Sequence, residues 1–359
     1  MTILDKLLKN STIKETDILS KSNFFNDKTI VSTSVPMINI ALSGSIDGGL
    51  GCGLTMLAAP SKHFKTGFAL LLADAYMKKY DDAVILFYDS EFGTPQSYFK
   101  TFNIDMDRVI HTPVTDLEEL SQDITNQIKE IDKKDHVIII IDSIGNLASL
   151  KETIDAEEGN NKVDMTRAKK LKSLFRIIGA KLTKKDIPLI AINHIYMTQE
   201  MFSKAIVSGG TGSYYNSDNI WIIGRQQDTD SSKKILEGYN FIINIEKSRY
   251  VREKSKIPIT VSFKDGINKW SGLFDLALEM GYISKNGNGY DIVDQSTGEL
   301  DGSKHKRDAI ENNSQFWKKM FTDTDFADKI KNKYQLTNEN TTILEDDIDG
   351  EESEPVSGC

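Results

Sequence analysis

Six short apolar runs recur along the first two-thirds of the chain, at residues 54–59, 84–88, 137–141, 189–192, 220–223 and 241–245. Runs this short and this uninterrupted are the pattern of strands covered on both faces. Between the early runs the apolar spacing changes to three and four. Phe68, Leu71, Leu72 and Ala75 share one helical face, and Leu117, Leu120, Ile124, Ile128 and Ile131 repeat behind a candidate N-cap at Asp116. Strand then helix, repeated, predicts an α/β fold with a mainly parallel sheet flanked by helices. The later runs lie closer together and are rich in β-branched residues, which predicts antiparallel additions ending near Phe263. Beyond Trp270 the pattern thins to Leu273, Leu276, Ala277, Leu278 and Tyr282 on a short helix, then Gly and Asn turns and an aromatic cluster at Phe316, Trp317 and Phe321. The expected organisation is a small N-terminal helical arm (1–30), a core (31–268), a small C-terminal domain (269–337) and an acidic tail (338–359).

Composition narrows the class. Charged residues are 27% of the 359, and no apolar run reaches the roughly 18 residues that span a bilayer. The first 20 residues mix charges into an amphipathic pattern with no sustained apolar region and no small-residue cleavage site, so export is not expected. Two cysteines, Cys52 and Cys359, supply neither a disulfide framework nor a metal cluster, which fits a reducing cytoplasm. The net charge of −9 is uneven: Glu339, Glu345, Asp346, Asp347, Asp349, Glu351, Glu352 and Glu354 leave the rest of the chain at −1. Such a tail is either a solvated end that aids solubility or an acidic mimic that competes with nucleic acid for a basic groove.

The chemistry starts at residues 59–66, APSKHFKT, directly after a strand and at the start of a helix, where backbone N–H groups and the helix dipole favour phosphate. The usual loop is G-x-x-x-x-G-K-[ST]; here Ala59 and Phe64 replace the glycines while Lys65 and Thr66 remain. Alanine needs only a tolerable backbone angle. Phe64 must aim its ring away from the ligand, and a left-handed backbone there costs about 1–2 kcal/mol. Pro60, Ser61, Lys62 and His63 complete the candidate cradle. VIIIIDS ends a buried strand at Asp142, where a carboxylate can reach the water shell of Mg2+ or simply cap a turn. ILFYDSE ends another at Asp89 and Glu91, and a glutamate beside the loop can polarise water for attack on a γ-phosphate. In a sheet of this type all three strand ends converge on the crevice where ligands bind.

Seven ordered blocks between residues 35 and 249, VPMINIALSGSIDGGL, APSKHFKT, LFYDSEFG, IIIDSIGNLAS, MTRAKKLKSLFRI, AINHIYMTQEMFSK and IEKSR, give the chain its resemblance, over about residues 20–285, to the RecA-type recombinases. Within that family it resembles most closely the UvsX recombinases of T-even-type phages, which also tolerate a bulky residue before the loop lysine. The resemblance implies a RecA-like P-loop ATPase core and DNA-dependent ATP hydrolysis with ATP and Mg2+. It also implies homologous strand exchange by helical filaments that coat single-stranded DNA and pair it with duplex. Lys65 and Thr66 would then hold phosphates and Mg2+, Asp142 the metal shell, and Glu91 the attacking water. Tyr98 matches the position that stacks on adenine, the alternative being a core aromatic on a helix. His194 stands where relatives have a γ-phosphate-sensing glutamine; a buried histidine without special function is the alternative. Lys247 and Arg249 match a basic pair that reaches a neighbour's nucleotide, and strand alternation would put both on one face. Phe24 and Phe25 belong either to an arm docking on the next subunit or to the protein's own core. A loading mediator and a single-strand-binding protein are further implied partners; a membrane is not.

DNA would meet two regions. In DMTRAKKLKSLFRII the residues Leu171, Leu174, Phe175 and Ile178 form an apolar face, while Lys169, Lys172 and Arg176, preceded by Arg167, form a basic stripe able to track phosphates or merely to face solvent. The preceding residues 149–163 are polar and structurally weak, as suits the first mobile DNA loop of RecA relatives. Residues 196–217 are too long for an idle connection and resemble the second. There Lys204 could meet phosphate, Gly209, Gly210 and Gly212 free backbone N–H groups for close approach, and Met201, Phe202 or Ile206 wedge between bases, unless the stretch is a surface excursion. Two rival readings share the fold: a hexameric helicase motor, which expects a large domain ahead of the core, and a non-hydrolysing recombination mediator, which would not need Lys65, Thr66, Glu91 and Asp142.

Overall fold

Six residues, Gly53–Ala58 (β1), are buried along their whole length and sit inside a nine-stranded sheet in the computed structural model, which describes residues 1–22, 24, 28–159, 166–198, 205–230 and 235–336. The further strands are β2 Val84–Asp89, β3 Val109–Pro113, β4 Val137–Asp142, β5 Pro188–Asn193, β6 Ile195–Met197, β7 Ala205–Val207, β8 Asn219–Asp230, β9 Ile235–Ser248, β10 Lys256–Ser262 and β11 Gly266–Ile267. Their order in the sheet is β11-β10-β9-β8-β1-β5-β4-β2-β3. From β8 to β3 every pairing is parallel, and β9, β10 and β11 are added antiparallel.

Alternate side chains feed two apolar layers. Leu57, Ile138 and Ile140 face the layer that holds α2 (Pro36–Ser43) and α3 (Lys65–Lys79), whereas Met56, Ile139 and Ile141 face α5 (Leu117–Glu130) and α7 (Thr166–Lys185). The Asp116 carboxylate caps α5 by accepting from the Glu119 N–H at 2.8 Å. Short α4 (Gln96–Thr101) follows β2, and α6 (Leu150–Glu157) follows β4.

Two stretches are more ordered than the sequence suggests, and one strand lies outside the six apolar runs: β3 is an edge strand whose residues are half-buried or exposed. The long connection after β5 is not irregular throughout, since β6 and β7 pair as a small ladder and α8 (Thr211–Asn216) follows. Residues 149–157 form a proper helix, opened by a reciprocal capping box between Ser149 and Glu152. Trp270, Phe274, Trp317 and Phe326 belong to the same apolar cluster as Met37 and Ile257, so the small C-terminal module packs against the sheet.

The arm begins with α1 (Ile3–Asn10), none of whose residues is buried, and Met1, Ile3, Leu4 and Leu7 turn apolar surface outward. Phe24 lies at the surface with the Lys28 ammonium 4.7 Å from its ring centre, which removes it from the protein's own core. Phe25 and the acidic tail lie outside the described residues. Among the described residues no helix is long and apolar enough to cross a membrane.

Candidate active site

Parallel pairing aligns the strand ends. Asp89 at the end of β2 stands opposite Asp142 at the end of β4, and Ala58 opposite Asn193 of β5, so the loops leaving β1, β2 and β4 meet at one edge of the sheet. There the Thr66 hydroxyl donates to Asp142 Oδ2 at 2.6 Å. Asp142 Oδ1 is buried and meets no hydrogen-bond partner among the described residues. Burial, helped by the Glu91 and Asp89 carboxylates and opposed by the Thr66 hydrogen bond and by Lys65, pushes the Asp142 carboxyl up to about 6. A buried oxygen left unpaired beside a hydroxyl is what a hard, partly hydrated cation satisfies, so the pair fits Mg2+ whose other ligands come from phosphate and water.

The sign of the Asp142 shift gives a test. Between about pH 4 and pH 6 the folded, nucleotide-free protein holds a proton that the unfolded chain has released. Stability therefore falls as pH rises through that window and stays lowered above it, by on the order of 2 kcal/mol. Asp142→Asn is expected to melt higher than the natural protein at pH 8, with the gap closing towards pH 4. Added Mg2+ and nucleotide should reverse the ranking. Thermal melts across pH check both, and a gap that widened with acid would contradict the assignment.

Lys65 is buried, and its ammonium donates to the carbonyls of Ala59 at 3.2 Å and Pro60 at 2.9 Å. Burial lowers its pKa while Glu91 and Asp142 work in the opposite direction. Glu91 Oε1 accepts from the Ser143 hydroxyl at 2.9 Å and lies 3.2 Å from His194 Nε2. The His194 contact, with Ser143 and Lys65, holds the Glu91 carboxyl below its ordinary value against the opposing effect of burial. The turn that aims Glu91 is shaped by Asp89, whose Oδ1 accepts from the N–H of Glu91 at 3.1 Å and of Phe92 at 2.8 Å.

Phe64 adopts a left-handed φ of +60° at the mouth of α3. Its ring stacks on Phe241 at 5.4 Å and meets Phe68 at 5.3 Å and Phe102 at 6.1 Å, three aromatic contacts that offset the backbone strain. The ring also passes so close to Gly67 that a Cβ there would sit 2.6 Å from it. The loop lacks a glycine at 64, and the ring that stands there requires one at 67.

These residues open into a cleft of about 670 Å3. It is lined by the loop residues Ser61 to Thr66, by Glu91 and Asp142, by Ser97, Tyr98 and Thr101 of α4, and by Arg225, Tyr239, Phe241 and Phe263. Pro60 contributes its carbonyl to Lys65 and is otherwise exposed. Tyr98 is half-buried with its edge against Phe102, 5.4 Å between centres. Arg225, Tyr239 and Phe263 escape a reading by motif because strand pairing, not spacing, delivers them. Ser143 could have been noticed as a hydroxyl beside Asp142.

Lys247 and Arg249 stand elsewhere. Through Asn219 they lie at the level of residues 54–56, the edge of the sheet away from the loop. Lys247 Nζ donates to the carbonyls of Tyr214 at 2.8 Å and Tyr215 at 3.2 Å, and Arg249 Nε lies 2.5 Å from Asp218 Oδ1. β9 ends at Ser248, so the segment 214–218, not strand alternation, brings the two cations together.

The DNA candidates divide similarly. Lys169, Lys172 and Arg176 are exposed along α7. Arg167 is half-buried, and its guanidinium donates to the carbonyls of Ile144, Gly145 and Leu147, tying the start of α7 to the turn after Asp142. Gly209 and Gly210 have left-handed φ values. A Cβ on Gly209 would meet Leu171 at 2.8 Å and one on Gly212 the Lys172 backbone at 2.7 Å, so both allow close approach to α7. Met201, Phe202 and Lys204 lie outside the described residues.

A family model described as the C-terminal domain of the bacteriophage T4 recombination and repair protein matches residues 270–330. Over 349 residues, 96% of this chain and 89% of the relative, the sequence is 48% identical to the recombination and repair protein of Enterobacteria phage T4. RecA of Clostridioides difficile is 23% identical over 86% of this chain and 84% of its own length, and RecA of Desulfotalea psychrophila 25% identical over 75% and 74%.

Proposed function

We propose, from the premise that this chain belongs to the family of the T4 recombination and repair protein (UvsX) among the RecA-type recombinases, that it is a DNA-stimulated ATPase that carries out homologous strand exchange. It coats single-stranded DNA as a helical filament and pairs that strand with homologous duplex. The observation that carries the enzymatic part is the meeting of Lys65, Thr66, Asp142 and Glu91 on one cleft large enough for a nucleotide.

Chemistry at this cleft is positioning and charge stabilisation rather than covalent catalysis. Bound Mg2+ would neutralise charge that builds on the phosphates, held through Thr66 and Asp142. Lys65 exchanges its contacts with the loop's own carbonyls for phosphate oxygens. Glu91, ionised and fixed by Ser143 and His194, orients the attacking water and accepts its proton. Tyr98, which lines the cleft, would stack on the purine.

His194 supports a link from nucleotide to DNA. It touches Glu91, and its backbone carbonyl accepts from Ser208 N at 2.9 Å. Asn193 in turn donates to the Ser208 carbonyl at 2.8 Å. The ladder β6–β7 thus rises from the residue that senses the nucleotide. Lys169, Lys172 and Arg176 track phosphates beside it, Arg167 shapes the turn beneath, and the stretch that includes Met201, Phe202, Lys204, Gly209 and Gly210 meets the bases and backbone. The arm at residues 1–30 docks on the adjacent protomer, and Lys247 and Arg249 complete that protomer's cleft. A loading mediator and a single-strand-binding protein assist assembly.

One experiment tests the whole reading: phosphate release from ATP with and without single-stranded DNA, with electron microscopy of the same sample. Stimulation of at least about tenfold with open helices on the DNA is expected, a modest demand beside the rate gains that completed phosphoryl-transfer sites provide. Closed rings would instead favour a helicase motor, and no release under any condition a non-hydrolysing mediator.

A further inference from the structure

Two non-glycine residues of the phosphate loop have left-handed backbones, Lys62 at φ +63° and Phe64 at φ +60°. The packed rings account for Phe64. Lys62 is exposed and has no such anchor among the described residues. Its carbonyl, however, accepts from Arg225 Nη1 at 2.9 Å, across 163 residues of sequence. Arg225 is itself pinned from the other side, its guanidinium carbon 4.5 Å from the centre of the Tyr239 ring. Two of the loop's other carbonyls, those of Ala59 and Pro60, are held by Lys65, which must leave them to meet phosphate. Among the described residues, Arg225 is the side chain from outside residues 59–66 that hydrogen-bonds the loop's backbone.

We propose that Arg225 is a positioning residue for nucleotide binding: it clamps the Lys62 carbonyl and holds a glycine-poor loop in the shape that receives phosphates. The proposal rests on the nucleotide reading of the cleft. A loop with glycine at 62 adopts a left-handed backbone without strain and needs the clamp less. Dependence on Arg225 is therefore a consequence of the residue at 62, which separates this role from a direct contact between the guanidinium and the ligand.

A double-mutant cycle on the full-length protein tests it, with a fluorescent ATP analogue and Mg2+ titrated in the absence of DNA. Arg225→Met keeps an unbranched apolar stem and removes the donors; it is expected to raise Kd about fivefold, the net worth of one hydrogen bond in reach of solvent. In the Lys62→Gly background the same substitution should change Kd by less than about twofold, because glycine takes the left-handed backbone unaided. Arg225→Lys, which keeps a donor, should recover most of the lost affinity. If Arg225→Met aggregates, Arg225→Leu, which also lacks a donor, replaces it with the same ratio expected. Equal penalties in both backgrounds, or none in either, would overturn the proposal. Failure of the natural protein to bind the analogue would instead overturn the nucleotide reading.

Discussion

Replacing Lys65 by alanine is expected to leave the protein folded and nearly silent, with DNA-stimulated phosphate release lowered at least about a hundredfold. The residue is 7% exposed, and its ammonium bonds to the carbonyls of Ala59 and Pro60, contacts that do not join distant parts of the fold. Its removal therefore spares the fold, while the phosphates lose the cation nearest the charge that develops on them. Nucleotide affinity and turnover should both fall. Steady-state phosphate release beside nucleotide titration checks this, and a variant with full DNA-stimulated turnover would rule out the cleft as the hydrolytic site.

Glu91→Gln should behave differently. The amide keeps the size of the side chain and can still accept from the Ser143 hydroxyl, so nucleotide affinity should stay within about threefold, since the side chain is not a phosphate ligand. Turnover should fall by about 10²- to 10⁴-fold, the usual worth of a positioned base. The natural carboxyl is held below its ordinary value chiefly by His194, so it remains ionised throughout the neutral range. A loss that higher pH restored would mean that another group activates the water. Binding kept with turnover lost is the signature that separates Glu91 from Lys65.

Much of the fold and of the cleft is legible in the sequence, for a physical reason. Parallel strands covered on both faces appear as continuous apolar runs, and β1, β2, β4 and β5 are buried along nearly their whole lengths. Lys65, Thr66, Glu91 and Asp142 are legible because each stands at the end of such a run or a few residues beyond it. β3 is not, since an edge strand carries residues such as His111 and Thr112 that read as loop. The partners of the site residues are hidden for a different reason. Ser143 reaches Glu91 across 52 residues only because β4 lies beside β2. Phe241 reaches Phe64 only because β9 folds back on β8. The left-handed backbone is foreseeable at Phe64, where a glycine is missing from the motif, but not at Lys62, a position the motif leaves free.

Lys247 and Arg249 stand at the edge of the sheet remote from their own cleft. If each pair serves the next protomer, a row of n subunits owns n minus one finished catalytic centres, and the outermost subunit on one side turns over poorly. Hydrolysis per subunit then climbs with the length of the DNA lattice before it levels off. The two tips of the assembly also become chemically unequal, which gives growth and shedding a direction that comes from the protein alone.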